Sequence, residues 1–181
     1  MILGLDVSTS TIGYSVLDLD GTLKELGYIS LKKQKNLLEK AEEFRSVLIN
    51  LKKKYQFSRV FIEEALQRYG RGMSSARTIT LLAAFNGIIQ YVNFKELDIT
   101  PELISVSAAR KSCGIKFVSK KKSGIPVKEQ VFTWVSNHLQ YEWPTKILRN
   151  GPRRGVEIQL PETRDMADAW VVSFAGYVQS T

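Results

Sequence analysis

The chain has 181 residues, enough to bury one sizeable core and too few for two, so a single domain over 1–181 is expected. Its 44% apolar and 24% charged residues exclude a disordered or collagen-like chain, and a lone cysteine, Cys113, excludes an internal disulfide. The net charge of +8, from 26 Lys/Arg against 18 Asp/Glu, points either to a polyanionic partner or to a merely soluble surface.

Residues 2–8 and 12–18 are apolar, β-branched runs, and Asp20-Gly21 marks a turn into a third run at 22–31. A three-stranded antiparallel meander is predicted. Residues 35–55 then place Leu37, Ala41, Phe44, Leu48, Leu51 and Tyr55 at three- and four-residue steps, the single stripe of an amphipathic helix. Arg59-Val60-Phe61-Ile62-Glu63 predicts a central strand entered by a crossover. Residues 73–94 are predicted helical, yet 78–94 carry no charged side chain and apolar residues surround the axis. Such a helix needs cover on both sides: one flank from the sheet, the other from a second subunit or from elsewhere in the chain. With Thr80, Asn86, Gln90 and Asn93 in it, the run is too short and too polar for a bilayer span, and no membrane association is expected.

Residues 103–106 suggest a further strand, and Ser107 a cap for a brief helix through Arg110 and Lys111. Residues 114–126 read as a Gly/Ser/Lys loop, 127–139 as a helix, and 144–161 as a basic connection rich in Gly and Pro. The last helix begins near Thr163, taken as its N-cap. The whole is an α/β fold, a mixed five-stranded sheet with helices on both faces.

The charge is unevenly placed. Residues 110–154 hold eleven Lys/Arg against Glu129 and Glu142, a net +9, while the rest of the chain holds 15 basic and 16 acidic residues, a net −1. Arg110, Lys111, Lys116, Lys120, Lys121, Lys122, Lys146, Arg149, Arg153 and Arg154 are the candidate phosphate contacts; a solvated lysine face is the other reading.

Four acids sit where solvation does not explain them. Asp6 interrupts the apolar run Ile2-Leu3-Gly4-Leu5, and Glu63 ends Val60-Phe61-Ile62, both in settings where a lone carboxylate is costly to desolvate. Asp165 and Asp168, three apart, share one face at the positive end of the last helix. Singly each has a structural account; together they suggest a cluster for hard divalent cations, which prefer oxygen ligands. Zinc is disfavoured by a chain with one Cys and one His, and His138 reads as structural or surface.

At these residues the sequence resembles a known family. Ile2-Leu3-Gly4-Leu5-Asp6 through Ile12-Gly13-Tyr14-Ser15-Val16, then Phe61-Ile62-Glu63-Glu64, then Asp165-Met166-Ala167-Asp168-Ala169, looks like the RuvC-type Holliday junction resolvases of the RNase H-like superfamily. The resemblance implies an RNase H-like fold and a dimeric, Mg²⁺-dependent endonuclease that makes paired symmetric nicks in four-way DNA junctions. Two Mg²⁺ ions, replaceable by Mn²⁺, are implied on Asp6, Glu63, Asp165 and Asp168. Lys128 matches a basic residue near the scissile phosphate, and 73–92 matches the dimerisation helix. The lone cysteine and a start that does not look like a secretory signal lead to the expectation of a cytoplasmic protein, nucleoid-associated, or in the host cytoplasm if phage-encoded. Departures are visible. Val7-Ser8 stands where the family commonly has Pro-Gly, and Leu66, with Tyr69 nearby, stands at the position of an aromatic wedge. The 144–161 connection is longer and more basic than in cellular bacterial members, which suits a phage or mobile-element version.

Three other readings compete. The first motif also resembles the phosphate loop of actin, Hsp70 and sugar kinases, but those need two lobes and a second glycine-rich loop. A RuvC-like nuclease acting on RNA or on other branched DNA would share the carboxylates. A non-catalytic dimer binding branched DNA would leave four acids beside phosphates unexplained.

Overall fold

The computed structural model describes residues 1–65 and 76–180. Its elements are β1 (Ile2–Val7), β2 (Thr11–Leu17), β3 (Leu23–Ser30), α1 (Leu37–Lys54), β4 (Arg59–Glu63), α2 (Ala76–Leu97), β5 (Glu102–Ile104), α3 (Val106–Ser112), α4 (Lys120–Ser123), α5 (Val127–His138), β6 (Thr145–Ile147), β7 (Glu157–Gln159) and α6 (Thr163–Val178). The main sheet has the order β3-β2-β1-β4-β5. β1 pairs antiparallel with β2 and parallel with β4, so the direction changes at the central strand. The predicted meander is present, and its β2–β3 turn uses Gly21 at φ +84°, a conformation that favours glycine.

Strand alternation sends side chains to two cores. Leu3, Leu5, Ile12, Val60 and Ile62 pack with Phe44 and Leu48 of α1 and Phe85 and Ile89 of α2. Ile2, Leu17 and Phe61 pack on the other face with residues of α3, α5 and α6. Asn36 starts α1 by accepting hydrogen bonds from the backbone N–H groups of Leu38 and Glu39, and Lys52, Lys53 and Lys54 suit its negative end.

Helix α6 lies directly on the sheet because two strand positions lack a side chain. A Cβ on Gly4 would stand 2.6 Å from the Ala169 carbonyl oxygen, and one on Gly13 would stand 2.0 Å from that of Asp165. Glycine is required at both by close approach, not by turn geometry. A buried hydrogen bond of 3.0 Å from the Ser173 hydroxyl to that of Ser15 adds a polar tie across the same contact.

Four details depart from the sequence reading. Ser105, not Ser107, caps α3, its hydroxyl accepting from Ala108 N at 3.3 Å. The 114–126 loop contains the short helix α4. The 144–161 connection folds into the antiparallel hairpin β6–β7. Thr163 lies inside α6, after Glu162, because its hydroxyl is already committed to the Leu160 carbonyl at 2.7 Å.

The apolar helix is covered on one side. Ile79, Phe85, Asn86, Ile89, Val92 and Asn93 are buried, whereas Leu81, Tyr91 and Phe94 are exposed. Among the described residues, no part of the chain covers that second flank; residues 73–75 of the predicted span lie outside them. No helix among the described residues is long and apolar enough to cross a membrane.

Candidate active site

The parallel register of β1 and β4 pairs Leu5 with Ile62, so the next residues, Asp6 and Glu63, come side by side where the ladder ends. Both project toward α6, as the alternation of Leu5 and Ile62 to the opposite core requires. Gly13, the ladder partner of Asp6, admits the first turn of α6 and with it Asp165 and Asp168. Strand register and one glycine thus bring acids from three separate stretches of the sequence to one end of the sheet.

Two cations meet them. The Lys128 ammonium, from the first turn of α5, lies 2.7 Å from Asp165 Oδ1 and 3.5 Å from Asp168 Oδ2. Arg110 Nη2, from α3, lies 3.8 Å from Asp168 Oδ1, with its guanidinium 5.6 Å from the centre of the Phe117 ring. Arg110, expected among free phosphate contacts, is thus half-buried against the acids.

Positive charge does not balance the cluster. Burial, followed by the field of Asp168, pushes the Glu63 carboxyl up to about 7 against the pull of Arg110 and Lys128. Burial, then Glu63 and Asp168, holds Asp6 well above the usual carboxylate range. Asp168 is raised by burial, with Lys128 and Arg110 opposing. For Lys128, burial works against the charge, but Asp168 and Asp165 outweigh it and hold the ammonium above an ordinary lysine. Desolvated, mutually repelling carboxylates mark a candidate functional site better than a structural ion pair does.

The donor set fits a hard divalent cation: carboxylate oxygens, no thiol and no imidazole. Among the described residues, no three His, Cys, Asp or Glu side chains already converge into a finished cage. The acids share one electrostatic neighbourhood, and two of them are engaged by lysine.

The other basic candidates form two exposed groups. Lys111, Lys116, Lys120, Lys121 and Lys122 run from the end of α3 into the loop before α5, and Lys146, Arg149, Arg153 and Arg154 lie on the β6–β7 hairpin before α6. Each group leads into the helix start that carries a candidate site residue, Lys128 or Asp165. The loop is tied to α5 by Gln130, whose amide donates to the carbonyls of Val118 at 2.8 Å and Ile125 at 2.9 Å. Two ion pairs escaped the sequence reading. Arg164 donates to both oxygens of Glu129, at 3.0 and 2.8 Å, and Lys32 reaches Glu162 at 2.5 Å. Opposite charges beside Lys128 and Asp165 were the only hint of the first. His138 is exposed and stacked on Trp134, ring centres 4.1 Å apart. Leu66 and Tyr69, the candidates for opening a junction, lie outside the described residues.

No protein-family model and no curated protein sequence matches the chain. Solved structures do. RuvC of Thermus thermophilus matches with a TM-score of 0.62 at 15% identity, over 99% of this chain and 94% of that one. The chain has the RuvC fold. T. thermophilus RuvC in complex with Holliday junction substrate gives a TM-score of 0.61 at 12% identity, over 99% and 93% of the two chains. Ydc2, the yeast mitochondrial Holliday junction resolvase, gives 0.50 at 15% identity, over 99% and 80%. The mixed five-stranded sheet with helices on both faces is therefore the RNase H-like arrangement that the motifs implied.

Proposed function

We propose that the 181 residues form one nuclease domain that resolves four-way DNA junctions by paired symmetric nicks, acting as a homodimer with Mg²⁺. The observation that carries this reading is the placing of Asp6 and Glu63 at the neighbouring ends of β1 and β4, beside the first turns of α6 where Lys128 pairs with Asp165 and Asp168, in a chain with the RuvC fold. The likeness to RuvC bound to a Holliday junction supports the choice of substrate.

Asp6, Glu63, Asp165 and Asp168 would hold the divalent ions, Mg²⁺ or in its place Mn²⁺. Such ions supply a polarised water and neutralise the leaving 3′ oxygen. Lys128 meets the scissile phosphate, and Arg110 keeps Asp168 in place while offsetting part of the acidic charge. The exposed lysines of the 114–126 loop and the arginines of the hairpin follow the backbones of the junction arms, the contacts that set register and salt dependence. The exposed Leu81, Tyr91 and Phe94 on α2 support the homodimer, in which both basic groups occur twice about a two-fold axis. A purely DNA-binding dimer is disfavoured, since buried acids would then face phosphates with no cation between them.

The test is cleavage of a synthetic four-way junction beside linear duplex, splayed and RNA-containing substrates in Mg²⁺ or Mn²⁺. Symmetric nicks are expected on the junction alone. Asp6→Asn is expected to reduce cleavage to background while junction binding in Ca²⁺ persists; a variant that still cleaves removes the carboxylate cluster from the mechanism.

A further inference from the structure

The Lys128 ammonium lies among the carboxylates, not outside them. Besides its contacts at 2.7 Å to Asp165 and 3.5 Å to Asp168, its field reaches Asp6 and Glu63. A lysine waiting for a phosphate does best with its ammonium extended into water. Here four acids at one end of the sheet create a deficit of positive charge that Arg110, 3.8 Å from Asp168, leaves partly unfilled. Lys128 supplies part of what is missing.

Its placement is fixed by neighbouring residues. Glu129, next along α5, takes the Arg164 guanidinium through two hydrogen bonds of 3.0 and 2.8 Å, and Arg164 immediately precedes Asp165 in α6. The same guanidinium lies 4.4 Å from the centre of the Phe132 ring, which limits where the fork can move. The two helix starts are therefore clamped at positions 129 and 164. The adjacent residues, 128 and 165, are the ammonium and carboxylate that pair.

We propose that Lys128 is the resident counter-ion of the cluster, holding in the absence of nucleic acid the position a divalent cation would need, and that a backbone phosphate draws it out. This rests on the metal-dependent reading above and adds an order of events to it. An ammonium and a small cation compete for the same oxygens, because both need Asp165 and Asp168 and repel each other at short range. The ammonium has three donors and no acceptor, so a phosphate oxygen is an equivalent partner for it. Once Lys128 turns to the phosphate, Asp165 is free for the cation and Asp168 keeps only Arg110, 3.8 Å away on one oxygen. Linkage makes the effect reciprocal: phosphate raises cation affinity by the factor by which the cation raises phosphate affinity. Arg164 and Glu129 are positioning residues in this scheme, since they act through Lys128.

The experiment is Mn²⁺ binding to the full, DNA-free chain, followed by electron paramagnetic resonance of the free ion. Lys128→Gln and Lys128→Met are expected to bind Mn²⁺ roughly tenfold more tightly than the unaltered protein, although both cleave junctions more slowly. Lys128→Arg, which keeps the charge, should bind as weakly as the unaltered protein, and Asp6→Asn more weakly still. The Lys128 side chain is 47% exposed, so its truncation leaves no cavity, and circular dichroism checks the fold. Unchanged or weaker Mn²⁺ binding in both neutral variants would overturn the resident counter-ion. Absence of Mn²⁺ binding in every form, with and without a four-way junction, is a different result: it removes the metal-dependent reading and this inference with it.

Discussion

Helices α2 and α6 are both long and poor in charge, yet among the described residues α6 is enclosed while α2 keeps one flank exposed. In α6 every residue from Met166 to Ser173 is buried, because glycines in β1 and β2 let the sheet approach and α3 and α5 close the far side. In α2 the inner flank packs on α1 and β1, and the outer one presents Leu81, Tyr91 and Phe94 beside the small residues Ala83, Ala84 and Gly87. The two sequences send the same signal, a demand for cover on all sides. Among the described residues only α6 has that demand met by the chain itself, and the exposed flank of α2 is the apolar patch on which the proposed homodimer rests.

The largest effect is expected when α6 is pushed off its support. Gly13→Ala sets a methyl group 2.0 Å from the Asp165 carbonyl oxygen, a backbone atom that cannot swing aside. We expect a loss of about 1–3 kcal/mol in urea unfolding, as overpacking generally costs, together with weakened Mn²⁺ binding as Asp165 shifts. Unchanged stability would mean that the contact is not tight.

Tyr91→Glu should act oppositely. At micromolar concentration it is expected to convert a sedimenting dimer into a monomer. Its unfolding free energy, compared at a dilution where the parent protein is also monomeric, should change by less than about 0.5 kcal/mol, as for an ordinary surface site. A dimer that survives this charge would move the subunit contact off α2.

The smallest effect concerns the enclosed region's weak point. Glu63 titrates near 7 in the folded chain, above its ordinary 4.5, so between these values the folded state holds more protons than the unfolded one. Stability should therefore fall as pH rises through that window when divalent cations are absent, and level off above it. Glu63→Gln should flatten the slope in thermal unfolding measured across the pH series; an equal slope would assign it to another acid.

The comparison also shows what the sequence could disclose. The meander, the stripe of α1 and the acids misplaced in apolar runs were legible because each is a local mismatch between a residue and the period around it. Gly4 and Gly13 were visible as residues but not as contacts, since nothing local to a strand says that a helix will lie on it. The β6–β7 hairpin has strands of three residues, most of them exposed, and so lacks the alternation by which a strand is recognised. The Glu129–Arg164 fork joins positions 35 residues apart, and only the folded chain brings them together. Arg110 was counted with a run of basic neighbours, but α3 turns it inward.

The first turn of α6 is fastened on four sides: beneath by Gly13, behind by Thr163 on Leu160, and laterally by Lys32 on Glu162 and Arg164 on Glu129. None of these ties runs through α4 or the tip of the β6–β7 hairpin. Those two pieces can therefore be lengthened, recharged or exchanged while the spacing of the aspartates stays as it is. In the proposed nuclease, choice of target and cutting chemistry would therefore be separable, and a change in the first need not wait for a change in the second.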